Sequence, residues 1–403
     1  MAGPEAGVFG CGPAGSVMSE NVMTRERVDV GSYEDIAAAA MRTTGLSDFG
    51  AGLHEEGLRV LVDDLASPEA GLTPRGNYFQ RSEVKSALVG VLLTQAQFAT
   101  HPEHRDVPIE RPVFVLGLPR TGTTALHRLL HADPMAQGLE MWLTQYPQPR
   151  PPRETWEADP IFTAMQQAFS AHHVESPEFM GIHYMDATTV EECWRLLRQT
   201  GKSSSYESLA NVPRYSAWLR RQDWTDAYAR HKENLQLVGL NDPEKRWVLK
   251  NPSHLTALDA LMTVYPDALI VYTHRDPVVC IASSCSLSAE TTAGHSTTYV
   301  GRTIGETQLD LWSRAFHAFH DARGRYDQAQ FADVAFRDLV ADPLGVTRGI
   351  YEQFGLDWTP AAQAAIEEID QESKQGKAKP SHTYTLEDYG LAEAEVRTAF
   401  DRG

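Results

Sequence analysis

The chain has 403 residues, 42% hydrophobic and 22% charged, which is an ordinary globular composition long enough to bury a large core. Its net charge of −18 argues against a nucleic-acid partner, because neutralising a phosphate backbone takes basic surface. The four cysteines form no C-x-x-C pair, no apolar run approaches the ~20 residues that span a bilayer, and no basic-then-apolar leader opens the chain, so a soluble cytoplasmic protein is expected.

Residues 1–30 are rich in Gly, Ala and Pro without periodicity and read as a disordered tail. Ser32, with Asp35 three residues on, gives a capping-box pattern that opens a helix. Further helices are expected over about 53–65 and 81–100, the latter with Val84, Leu88, Val91 and Leu92 on one face. Residues 31–105 thus form a helical N-terminal segment ahead of the main domain at 106–403.

Val113-Phe114-Val115-Leu116 reads as a fully buried strand. It runs into a tight loop, Gly117-Leu118-Pro119-Arg120-Thr121-Gly122-Thr123-Thr124, and Leu126, Leu129 and Leu130 then follow at helical spacing. A strand, a Gly-rich turn and a helix start in that order aim several backbone N–H groups at one spot, which suits an anionic oxygen cluster. The spacing is nearly that of the nucleotide-binding P-loop, but Thr123 stands where the lysine belongs and the cation sits inside the loop as Arg120. A kinase or NTPase needs that lysine on its phosphates, so a P-loop enzyme lacking it is the alternative and a different phosphate-bearing donor is favoured.

Asp133-Pro134 stops the helix, and the proline-rich run at 147–152 is a loop. An insertion at 153–232 reads as mostly helical and carries Trp156, Phe162, Phe169, Phe179, Tyr184, Trp194, Trp218 and Trp224, which are either plain core or partly the lining of an apolar pocket. Strands are then expected at 246–250, 268–273 and 331–336. They alternate with helices at 253–264, 276–287, 303–323, 343–354 and 360–372. The fold class is therefore α/β, a P-loop-like central parallel sheet flanked by helices. The strand ending at Thr273 leads into His274-Arg275-Asp276-Pro277, which puts Arg275 at the sheet edge where open α/β sheets bind ligands.

These pieces together resemble sulfotransferases that use 3′-phosphoadenosine 5′-phosphosulfate (PAPS), in particular the bacterial-type members. Pro119-Arg120-Thr121-Gly122-Thr123-Thr124 is similar to their 5′-phosphosulfate loop. Arg275 with Ser283 eight positions on resembles their 3′-phosphate pair. The stretch from Trp247 to Leu255, Phe336-Arg337-Asp338-Leu339 with Asp342-Pro343, and the stretch from His382 to Leu391 resemble three further segments in the right order. The resemblance departs at Ala125, where cytosolic eukaryotic members carry a tryptophan that stacks on adenine; Phe336 is a candidate replacement. The family's basic C-terminal loop is matched loosely, around Lys377 and Lys379.

The resemblance implies an enzyme that moves a sulfuryl group from PAPS to an acceptor hydroxyl by in-line displacement and releases 3′-phosphoadenosine 5′-phosphate (PAP). The acceptor would be a small molecule, lipid or carbohydrate. The donor would be held by Arg120, Thr121, Gly122, Thr123, Thr124 and Ala125 at one end, and by Arg275, Ser283, Phe336, Lys377, Lys379 and His382 at the other. A sulfuryl group carries less charge than a γ-phosphoryl group, so no metal is called for. Lys250 or Arg120 would stabilise the leaving oxygen. For the general base two residues stand level: His254, four positions after Lys250, and Glu140, roughly where tyrosylprotein-type members place a glutamate. Glu191, Glu192 and His183 lie in a segment that resembles one recurring in bacterial members. They are either acceptor contacts or, for the two acids, an ordinary pair at a helix start.

Overall fold

The computed structural model describes residues 25–175, 186–375 and 384–402. Five strands make the sheet: β1 Val113–Gly117, β2 Ala136–Gln137, β3 Arg246–Lys250, β4 Leu269–His274 and β5 Phe331–Ala335. Their order is β2-β3-β1-β4-β5, and every neighbouring pair is parallel. β1 is central and buried along its whole length, as expected where helices cover both faces of a parallel sheet.

Alternate strand residues feed two cores, because side chains on a strand leave opposite faces with a period of two. Phe114, Leu116, Leu249, Ile270 and Tyr272 join the larger core, which also takes in the N-terminal helices through Leu58, Val84 and Leu88. Val113, Val115, Val248, Leu269 and Val271 join a smaller one. It is closed by Leu126, Leu129 and Leu130 of the helix Thr123–His131 and by Ile350 and Phe354 of the helix Pro343–Phe354.

Several elements differ from expectation for local reasons. The helix expected from 81 begins at Pro74, seven residues earlier. Its first turns bury Asn77, Gln80 and Glu83 beside Phe79, so their inward face is mostly polar and carries no apolar period. Gly76 there lies against the His295 backbone, where a Cβ would collide with the carbonyl. The single helix expected over 253–264 is a 3₁₀ turn, Pro252–Ala257, followed by the helix Leu258–Val264. β5 stops at Ala335, so Phe336 opens the next helix, Phe336–Ala341, instead of ending the strand. The short edge strand β2 has too few residues to leave a pattern. The expected Ser32–Asp35 capping box is present in both directions.

Because all strands run the same way, the chain leaves β1, β3, β4 and β5 at one edge. The loop after Gly117, then Asn251, Arg275 and Phe336 are thereby gathered there from four distant stretches of sequence.

Candidate active site

The loop after β1 is shaped by two left-handed residues, Arg120 at φ 70° and Gly122 at φ 89°. Gly122 is the N-cap of the helix Thr123–His131, and no side chain caps that end. The first-turn N–H groups therefore stay available at the positive end of the helix. A Cβ at Gly122 would sit 2.8 Å from Leu339 and 3.2 Å from Phe336, so both conformation and space call for glycine. Thr121 is fully buried; its hydroxyl donates to the Leu118 carbonyl (2.7 Å) and meets the Thr273 hydroxyl at 2.6 Å. That hydroxyl pins the loop to β4 instead of standing open at the sheet edge.

Arg275 stands beside this loop. It donates to the Arg120 carbonyl (3.1 Å), and its guanidinium lies 4.1 Å from the Phe336 ring centroid. The two arginine-bearing loops thus adjoin on the same sheet edge. Phe336, expected as an adenine platform, has one face covered by Arg275. Ser283 is buried in the second turn of the helix Pro277–Thr291, and Ala125 is exposed in the first turn of its own helix. Lys377, Lys379, His382 and His183 lie outside the described residues.

Lys250, at the end of β3, is 2% exposed. Its Nζ donates to Thr124 Oγ1 at 3.2 Å and to Glu192 Oε1 at 2.5 Å. The chain before Glu192 runs along the sheet edge: the Glu191 N–H donates to the Leu139 carbonyl (2.7 Å), the Cys193 N–H donates to the Lys250 carbonyl (3.1 Å), and Glu140 and Val190 form an antiparallel bridge. These backbone bonds set the Glu192 carboxylate over the lysine. Beside them opens a cavity of about 230 Å³, whose wall includes Pro119, Glu192, Trp194, Asn251, Leu287 and Trp312.

Neither expected base reaches this cavity. His254 is fully buried, with Nδ1 on the Tyr228 hydroxyl at 2.6 Å and its ring edge-on to Phe114. Burial, then the neighbouring His231, push its imidazole well below the ordinary value. It is neutral, as a base should be, but packed on the wrong side of the turn that follows β3. Glu140 is also buried, and it is ion-paired to Arg150 at 3.2 Å. Burial raises its pKa against the opposing pull of Arg150. Two carboxylates line the cavity, Glu83 paired with Arg198 and Glu192 paired with Lys250, and Glu192 is the one joined to the lysine at the tip of β3. Its sequence signal is an acid pair with an equally good surface reading, and the lysine that distinguishes it lies 58 positions away.

Of the aromatics in the insertion, Trp194 lines the cavity. Trp156, Phe162, Phe169, Trp218 and Trp224 belong to the core, and Phe179 and Tyr184 fall outside the described residues. Among the described residues no group of three or more His, Cys, Asp or Glu is arranged to hold a metal, and no helix is long and apolar enough to cross a membrane. Cys193, Cys280 and Cys285 are free and buried.

Known proteins share this fold. The chain is similar to the solved sulfotransferase STF1 from Mycobacterium tuberculosis H37Rv, with 52% identity and a TM-score of 0.86 over 93% of this chain and 99% of that one. Sulfotransferase STF9 from Mycobacterium avium is similar at 28% identity and a TM-score of 0.82, over 93% of this chain and 96% of that one. The omega-hydroxy-beta-dihydromenaquinone-9 sulfotransferase Stf3 of Mycobacterium bovis and of Mycobacterium tuberculosis is 25% identical over 261 residues, 61% of this chain. The chain spans 63% of the length of those curated relatives. Residues 112–360 match the family model described as "Sulfotransferase family", a span that takes in the loop after β1, Glu192, Lys250, Arg275 and all of the cavity wall but Glu83. This chain belongs to the sulfotransferase family.

Proposed function

We propose that the protein transfers a sulfuryl group from PAPS to an acceptor hydroxyl. The observation that carries this reading is Lys250 Nζ, which links the anion loop through Thr124 (3.2 Å) to a carboxylate of the cavity wall, Glu192 (2.5 Å). The residues at the edge fit a donor with phosphates at both ends. An uncapped helix start and Arg120 suit the 5′ end, and Arg275, held by Phe336 and the Arg120 carbonyl, suits the 3′-phosphate. PAPS supplies the activated sulfuryl group. Glu192 takes the proton from the acceptor hydroxyl as that oxygen bonds to sulfur and the bond from sulfur to the phosphate oxygen breaks. Lys250 and the loop N–H groups stabilise the charge that grows on the leaving oxygen, fixed dipoles and a fixed cation needing no rearrangement to do so.

The missing P-loop lysine, with Thr123 in its place, and the likeness to sulfotransferases both weigh against phosphoryl transfer from ATP. Stf3 acts on a hydroxyl of a dihydromenaquinone; for this chain the reading is an acceptor hydroxyl in the cavity beside Glu192. Calorimetric titration with PAP, PAP lacking its 3′-phosphate, and ATP tests the donor. Micromolar PAP binding that is lost without the 3′-phosphate is expected, and tighter ATP binding would overturn the proposal.

A further inference from the structure

The cavity beside Glu192 looks polar in sequence, since its wall includes Ser204, Ser205, Ser253, Ser284 and Thr291. In space these hydroxyls serve the protein. Ser204 donates to Ser253 (2.7 Å), Ser284 to the Cys280 carbonyl (2.8 Å) and Thr291 to the Leu287 carbonyl (2.8 Å). Arg198 and Trp312 are engaged as well. Arg198 gives Nε to Ser205 (2.9 Å) and a terminal nitrogen to Glu83 (2.5 Å), and Trp312 Nε1 donates to Gln308 (2.9 Å). What the wall offers an occupant is therefore apolar surface: the indoles of Trp194 and Trp312, with Leu209, Leu287, Pro119 and Pro252.

One wall residue breaks that pattern. Asn251 is 1% exposed, and its Oδ1 accepts the Ser253 N–H at 3.1 Å, which fixes the orientation of the amide. Its Nδ2 has no hydrogen-bond partner in the protein. A buried amide nitrogen left so is costly unless a ligand completes it. Asn251 directly follows Lys250, so this donor belongs to the reacting end of the cavity.

We propose that the acceptor is an apolar alcohol or phenol, not a carbohydrate, and that Asn251 Nδ2 orients its reacting oxygen. A polyol brings several hydroxyls, each of which needs a donor as well as an acceptor, and among the wholly buried side-chain nitrogens and oxygens of this wall only Asn251 Nδ2 has no partner. Buried polyol oxygens would go unpaired, whereas an apolar body gains from the indole and leucine surface. The inference rests on the sulfuryl-transfer reading above and narrows its substrate class.

Two measurements keep the two readings apart. PAP affinity reports the donor site and is independent of the acceptor. With PAP bound, saturation-transfer NMR and equilibrium titration compare 2-naphthol, 1-decanol and methyl β-glucoside. The apolar alcohols are expected to bind, and with PAPS to turn over, about 100-fold more efficiently than the glucoside. Equal or tighter binding of the glucoside, or no binding of either apolar probe to the PAP-loaded protein, overturns the proposal while leaving the donor site standing. Leu287→Asp alters a half-exposed wall residue and is expected to weaken 2-naphthol about tenfold with PAP affinity unchanged. Asn251→Asp keeps the acceptor for the Ser253 N–H and removes the free donor, and Asn251→Ala removes the donor without adding charge, giving up that acceptor as well. Both are expected to lower kcat/KM for 2-naphthol at least about tenfold. Unchanged values in both variants remove Asn251 from this role.

Discussion

Glu192 and Arg275 make opposite demands on experiment. If Glu192 takes the acceptor proton, Glu192→Gln lowers turnover about 10²–10⁴-fold and leaves PAP affinity near that of the parent protein. Steady-state rates beside calorimetry check this; a rate within a few-fold of wild type removes the role. His254→Ala is expected to show the reverse, lost stability through the Tyr228 bond and its buried neighbours before any specific loss of chemistry. Arg275→Ala should weaken PAP by roughly 1.5–3 kcal/mol, the range of a charge-assisted hydrogen bond, with the effect gone for PAP lacking its 3′-phosphate. Both histidine and glutamate candidates were legible as residue types. Which of them faces a ligand was not, because His254, Glu140 and Glu192 differ in what surrounds them and hardly in their sequence contexts.

The loop and its helix are read from sequence because their cause is local. A buried apolar run, a left-handed glycine and an apolar helical stripe are all short-range signals, and Gly122 carries the sharpest demand. Gly122→Ala meets a left-handed backbone at φ 89° and the Phe336 and Leu339 side chains. The strain, about 1–2 kcal/mol, falls on the donor loop, so PAP affinity should drop by more than thermal stability does. A loss confined to the melting temperature would show that the loop tolerates the change. The long helix Pro74–Thr100 was half legible for the opposite reason. Glu83 faces inward only because Arg198 comes to it across 115 positions, at 2.5 Å with both side chains 5% exposed. Arg198→Met leaves the carboxylate buried without its partner and is expected to cost about 3–5 kcal/mol in denaturant unfolding. Adding Glu83→Gln should restore part of it, and no recovery would mean that packing, not charge, sets the loss.

At the scale of the whole molecule, buried histidines govern the response to acid. His54, His131 and His295 are pushed down to about 4 and His231 to about 3, each chiefly by burial, from an ordinary value of 6.5. Between 6.5 and those values the unfolded chain binds more protons than the folded one, so stability falls as pH falls through that window. The loss is on the order of 1 kcal/mol per histidine per pH unit. Glu140 and Glu207, raised by burial, act in the opposite sense, and the more numerous histidines set the sign. Unfolding midpoints should drop between pH 7.5 and pH 5.5; an unchanged or higher midpoint would contradict this account.

The sequence by itself determined the α/β class, the anion loop, the strand tips that carry Lys250 and Arg275, and the resemblance that points to PAPS, because each depends on neighbours a few residues apart. Tertiary structure decided what no local pattern encodes: that Thr121 locks the loop, that Glu192 and not His254 or Glu140 meets the lysine, and that a serine-rich wall is apolar to its occupant. Hydrogen bonds and burial assign those roles. The deciding ones, Thr121 with Thr273, Glu192 with Lys250 and Ser204 with Ser253, join positions 152, 58 and 49 apart, a separation at which chain order carries no information about contact.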